Sequence, residues 1–190
     1  MAAWKRLSTR LVYKNGPWEV HEDILKTHEG GKASYMRLAT RSFACVVPVT
    51  DDGKIVLIEN YRQASRAHML EIPGGMSDPG ETPQSNSQRE LEEETGYRAG
   101  ELLQLGKTRP IPQLLESTGY LFLGRKLRQG RPHRDVDEDL RTVELPVASV
   151  YRRLRAGKIM SSTSMVALLL AEPFLQDVLR TGAKRSARRR

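Results

Sequence analysis

The chain has 190 residues, 38% of them hydrophobic and 28% charged, with a net charge of +8. That is the profile of one globular domain with room for a small extension. No apolar run approaches the roughly 20 residues that cross a bilayer, and the N-terminus MAAWKRLSTR lacks the apolar core of a secretory leader. Cys45 is the single cysteine, so no intrachain disulfide forms; within Phe43-Ala44-Cys45-Val46-Val47 it reads as a small buried hydrophobe, and the expected compartment is cytoplasmic. Arg180, Lys184, Arg185, Arg188, Arg189 and Arg190 supply most of the net charge. The body is therefore not a basic nucleic-acid surface, and only this tail could attract nucleic acid.

Residues 11–13 read as a strand, Asn15-Gly16-Pro17 as a turn, and residues 18–21 as a second strand by their alternation. Another turn at residues 28–32 precedes a third strand at 34–39. Such a meander is marginal alone and must pack on something. Residues 41–50 and 54–61 are β-rich apolar runs separated by a hairpin turn at Asp51-Asp52-Gly53.

The stretch from Gly74 to Tyr97, GGMSDPGETPQSNSQRELEEETGY, organises the rest. Asp78-Pro79-Gly80 is a turn, Thr82 an N-cap, Pro83 a first helical residue and Gly96 a helix stop. Ser85, Asn86 and Ser87 make a poor autonomous helix, so the fold must hold it. Glu90, Glu93 and Glu94 fall at helical offsets that share one face. Three like charges there are best tolerated around a cation, and hard carboxylate oxygens select Mg²⁺ or Mn²⁺.

Beyond the helix, residues 101–107 read as a strand, 109–118 as a proline-rich loop and 120–124 as a core strand. HRDVDED at residues 133–139 is an acidic loop leading to a strand at 140–145. Val147, Val150, Tyr151 and Leu154 recur at helical spacing, and residues 161–170 form a mostly apolar second helix. The four histidines have no paired metal spacing, no serine sits in a nucleophile elbow, and Gly74-Gly75 lacks the lysine of a phosphate loop. These patterns argue against covalent nucleophilic catalysis.

Gly75, Glu81 and Arg89-Glu90-Leu91-Glu92-Glu93-Glu94-Thr95-Gly96-Tyr97, in that spacing, resemble the Nudix hydrolase signature, with Tyr97 where an aliphatic residue is usual. Tyr61-Arg62-Gln63 and Leu70-Glu71-Ile72-Pro73-Gly74-Gly75 resemble the ADP-ribose and nucleoside diphosphate sugar pyrophosphatase branch. The resemblance implies an α+β Nudix fold, an α/β/α sandwich with a mixed sheet, preceded by a small N-terminal antiparallel β subdomain. Residues 1–40 would be a dimerisation subdomain, 41–178 the catalytic domain and 179–190 a basic, disordered tail.

The same resemblance implies Mg²⁺-dependent cleavage of a nucleotide sugar, of ADP-ribose or GDP-mannose type, by a homodimer. It places the metal on Glu90, Glu93, Glu94 and the Gly74 carbonyl, and the substrate against Arg62, Glu71, Arg41 and Trp18. Arg89 joins Glu93 in the catalytic set, pairing with Glu81 to hold the loop and helix. Glu138 is the general base by position, with Asp137 and Asp139 as rivals. Where this branch carries Ser-Pro-Gly and a glutamate, the chain has Ile111-Pro112-Gln113-Leu114-Leu115-Glu116, which leaves the sugar open. Capped RNA or a dinucleoside polyphosphate as substrate, and a non-catalytic nucleotide-binding regulator, are the alternatives.

Overall fold

The computed structural model describes residues 4–130 and 140–179. In chain order they form β1 (Lys5–Asn15), β2 (Trp18–Lys26), β3 (Lys32–Ala39), β4 (Phe43–Pro48), β5 (Lys54–Arg62), β6 (Ala67–Glu71) and β7 (Gly74–Met76). Then follow α1 (Pro83–Thr95), β8 (Tyr97–Thr108), β9 (Leu115–Glu116), β10 (Gly119–Gln129), β11 (Leu140–Pro146), α2 (Val147–Arg155) and α3 (Ser162–Ala171), and a 3₁₀ turn at Glu172–Leu175. The described residues divide into two compact units.

One unit holds the residues up to Ser42 together with Arg109–Thr118. Its sheet runs β1-β2-β3-β9. The two antiparallel hairpins follow the meander expected from the sequence, with longer strands, and β9 adds in parallel to β3. The proline-rich loop is stitched to β3 by its backbone: Leu38 N–H donates to Leu114 C=O (2.9 Å) and Thr40 N–H to Glu116 C=O (3.2 Å). The Tyr35 hydroxyl donates to Gln113 C=O and Arg37 to the Glu116 carboxylate. The 109–118 segment thus groups with the N-terminal strands, although the sequence reading set it within residues 41–178. Every residue of β1 is exposed, on both faces of the strand.

The second unit holds Phe43–Thr108 and the described residues from Gly119 on. Among them a mixed four-stranded sheet runs β7-β4-β10-β8, and an antiparallel three-stranded sheet runs β11-β5-β6. In β4, Ala44 and Val46 pack with Leu91 of α1 and Phe122 of β10, while Cys45 and Val47 join a larger cluster with α2 and α3 residues. That two-sided burial is why residues 44–47 read as a continuous apolar run. Leu91, nearly the only large apolar residue of α1, is fully buried, which is worth about 2–3 kcal/mol. On the other side the Tyr151 hydroxyl donates to Leu168 C=O (2.7 Å), tying α2 to α3.

Candidate active site

The signature loop and helix are fastened by their own short polar residues. Thr82 caps α1: its hydroxyl accepts the Ser85 N–H (3.1 Å), and the Ser85 hydroxyl accepts the Thr82 N–H (3.0 Å). Asn86, fully buried, donates to Met76 C=O (3.2 Å), and its amide oxygen accepts the Ser77 hydroxyl (3.1 Å). Of the weak helix formers, Ser85 thus closes the cap and Asn86 binds the helix to the preceding strand. Gly96 ends the helix, its N–H donating to Glu92 C=O (2.8 Å).

Arg89 is the hub. It donates to Glu81 (2.9 and 3.1 Å), to Glu93 (2.7 Å) and to Met76 C=O (3.0 Å), and lies 2.9 Å from Glu90. The hydrogen bond to Glu81 is the main reason the guanidinium is held even further above its usual range, and it lowers the Glu81 carboxyl in turn. Glu81 also accepts the Asp78 N–H (2.8 Å), so one carboxylate fixes both the turn and the helix.

Glu90 and Glu94 lie one turn apart and both are buried. Glu94 accepts the Gly74 N–H (2.8 Å), which ties the acidic cluster to the strand that precedes the signature turn. Gly74–Met76 is a short strand on the edge of β4. A Cβ on Gly75 would lie 2.6 Å from the Glu90 carboxylate, so a glycine is what lets the strand and this side chain share the space. Cys45 borders the group: burial, and then the charges of Glu94, Glu90 and Glu71, push its thiol far above the usual range, and it stays protonated.

The set suits a hard divalent cation in its chemistry. The donors are carboxylates, two of them are buried, and buried charges persist only with a partner. Glu93 is turned to Arg89, and among the described residues no group of three or more acidic, histidine or cysteine side chains is drawn together as a metal site.

A small cavity of about 170 Å³ opens beside the cluster. Arg62 and Glu71 face it, joined by hydrogen bonds of 2.5 and 3.0 Å. Its far wall is the start of α3, where Ser161 caps the helix and the buried Ser164 hydroxyl accepts the Ile72 N–H (3.1 Å). Sequence reading missed this wall. A Ser-Ser-Thr-Ser run before an apolar stretch announces an N-cap, and nothing in it announces a partner 92 positions away. The departure at Tyr97 also has a cause: its ring packs beside Ala44 and Val46 while its hydroxyl donates to Glu144 on β11 (2.5 Å). That bond pushes the Tyr97 phenol up to about 12.

Trp18 and Arg41 belong to the other unit, Trp18 on β2 and Arg41 beyond β3, where the Arg41 carbonyl accepts the Ser117 hydroxyl (2.7 Å). Glu138, Asp137 and Asp139 lie outside the described residues.

The family description NUDIX domain matches residues 39–163, which include the whole of this loop and helix. The chain belongs to the NUDIX family. It is 36% identical over 110 residues to an ADP-ribose pyrophosphatase of Bacillus subtilis, a match covering 57% of this chain and 60% of that enzyme. It is 24% identical to the methanol dehydrogenase activator of Bacillus methanolicus over 93% of this chain and 95% of that protein. A crystal structure of an ADP compounds hydrolase superposes with a TM-score of 0.83 at 26% identity, covering 93% of this chain and 96% of that one. The α+β fold of this NUDIX chain, with antiparallel strands ahead of the mixed sheet, is the family's. No helix among the described residues is long and apolar enough to cross a membrane.

Proposed function

We propose that this NUDIX chain is a Mg²⁺-dependent pyrophosphatase of nucleoside diphosphate sugars. It would cut a substrate of ADP-ribose or GDP-mannose type into a nucleoside monophosphate and a sugar phosphate. The observation that carries this reading is the pair of buried carboxylates, Glu90 and Glu94, gathered at the Gly74-Gly75 strand inside the family signature. The likeness to an ADP-ribose pyrophosphatase and to an ADP compounds hydrolase supports the substrate class.

Glu90, Glu93 and Glu94 would hold the metal, with Mn²⁺ as a substitute and Gly74 beside them. When bound, Mg²⁺ supplies neutralisation of the diphosphate charge and acidifies a water. The chain's own part is to bind and orient. Arg89 releases Glu93 when a cation competes for it, and keeps Glu81 and the loop in place. Arg62 and Glu71 meet the substrate beside the cluster, and Arg41 and Trp18 are the other substrate contacts proposed. The oxygen of water bonds to one phosphorus as the bridging P–O bond breaks; the water proton passes to an acidic residue of the 133–139 segment, Glu138 by position. We further propose a homodimer formed through the exposed β1.

The test is product release with Mg²⁺ from ADP-ribose, GDP-mannose, ADP-glucose, UDP-glucose, a dinucleoside polyphosphate and capped RNA, with Glu93→Gln as the control. Turnover of nucleotide sugars by the wild type and its loss in the variant is the expected result. Preference for capped RNA or the polyphosphate would move the substrate class. The likeness to a methanol dehydrogenase activator favours one second reading, a NUDIX-fold regulator, which predicts binding without turnover.

A further inference from the structure

The cavity beside the acidic cluster is the part of the catalytic unit whose ligand is still to be named. Its volume, about 170 Å³, is well below the roughly 300–1,000 Å³ of a site that encloses a whole small molecule. It can take one end of a nucleotide sugar and must leave the remainder outside. The walls then choose which end. Among the described residues the one cation lining it, Arg62, is already joined to the Glu71 carboxylate by two hydrogen bonds. An anion would therefore find a neutralised guanidinium and a carboxylate, whereas a neutral polyol would find acceptors and donors. Glu71, buried, can accept hydroxyl protons. Thr163 lines the cavity, and its hydroxyl makes no hydrogen bond to any described residue. Phe43 and Ile72 add apolar surface of the sort that meets the C–H face of a sugar ring.

Resting on the pyrophosphatase reading, we infer that this cavity receives the pendant sugar of the substrate, with Thr163 as a specificity-determining residue that hydrogen-bonds a sugar hydroxyl. Phosphate groups then lie at the cavity mouth, toward Gly74 and the buried carboxylates.

The experiment compares calorimetric binding of ADP-ribose with ADP, and of GDP-mannose with GDP, to the wild type, Thr163→Val and Thr163→Ser. Each pair differs by the pendant sugar and by the one phosphate charge that the sugar ester removes. Thr163→Val keeps the shape and removes the hydroxyl, and Thr163→Ser restores it. The expected result is a loss of about three- to tenfold in affinity for the preferred nucleotide sugar in Thr163→Val. The parent diphosphate should bind unchanged, and Thr163→Ser should recover the wild-type value. An equal loss for sugar and parent diphosphate would place phosphate in the cavity and overturn the inference. So would no change in either, or a wild type that binds neither nucleotide sugar more tightly than its parent. Turnover is scored separately: sugar-selective binding through Thr163 without hydrolysis sinks the enzyme reading and leaves the cavity assignment standing.

Discussion

The Arg89 guanidinium and the Glu81 carboxylate, eight positions apart, are joined by N–H···O bonds of 2.9 and 3.1 Å. This pair, rather than helix propensity, holds the signature loop on its helix. Arg89→Ala leaves Glu81, Glu90 and Glu93 without their shared cation and should cost about 2–4 kcal/mol. A fall in Tm of about 5 °C or more follows. Arg89→Lys should recover little, because an ammonium cannot present the planar fork that reaches Glu81, Glu93 and Met76 C=O together. Thermal unfolding measures both variants, and a lysine variant as stable as wild type would refute the fork.

Gly75 and Glu90 meet across the gap between β7 and α1, where a Cβ would stand 2.6 Å from the Glu90 carboxylate. Gly75→Ala must push that carboxylate aside. The unit should still fold, with an overpacking cost of about 1–3 kcal/mol. The Mg²⁺ concentration for half-maximal turnover should rise at least about tenfold. A Mg²⁺ titration of turnover reads this directly; an unchanged midpoint would mean that Glu90 does not need its present position.

What the sequence displays and what it hides differ in range. Thr82, Pro83 and Gly96 are legible because capping is local, and the β4 run is legible because burial on both faces removes polar residues. Glu90, Glu93 and Glu94 share a face by arithmetic, yet spacing cannot tell that Glu93 turns to Arg89 while Glu94 turns to Gly74. Nor could it show that the 109–118 segment joins β3, since Tyr35 and Arg37 find partners 78 and 79 positions on. Ser164 supports Ile72 in the same way. Long-range pairing leaves no periodic trace. Residues 137–139, the candidates for the general base, lie outside the described residues.

The N-terminal unit carries its own acid sensitivity. Arg37 donates to the buried Asp23 carboxylate (2.9 Å), and this hydrogen bond is the main cause that holds the carboxyl at about 2, below the ordinary 3.8. A native value below the unfolded one means that the stabilisation is complete above about pH 4 and is lost as pH falls toward 2. Both tryptophans, Trp4 and Trp18, lie in this unit, so their fluorescence follows it alone. Urea midpoints read by that fluorescence should fall steeply between about pH 4 and 2. Asp23→Asn should unfold more easily at neutral pH and lose most of the slope in that window. A slope retained in the variant would assign the acid sensitivity to other groups.

β1 offers the remaining test. Leu11, Val12 and Tyr13 are each at least half exposed, and among the described residues the strand is paired on one side, by β2. An exposed apolar edge invites pairing with another chain, and native proteins normally block such edges or bury them. In a homodimer formed through β1 these side chains would be covered by their counterparts across a twofold axis. Leu11→Glu with Tyr13→Glu then sets like charges against each other at the interface. Sedimentation velocity should show a dimer for the wild type and a monomer, or a dimer weakened at least about a hundredfold, for the double variant. Circular dichroism should stay unchanged, because both positions are at least half exposed within the chain. A wild type that sediments as a monomer across the micromolar range would remove the dimer.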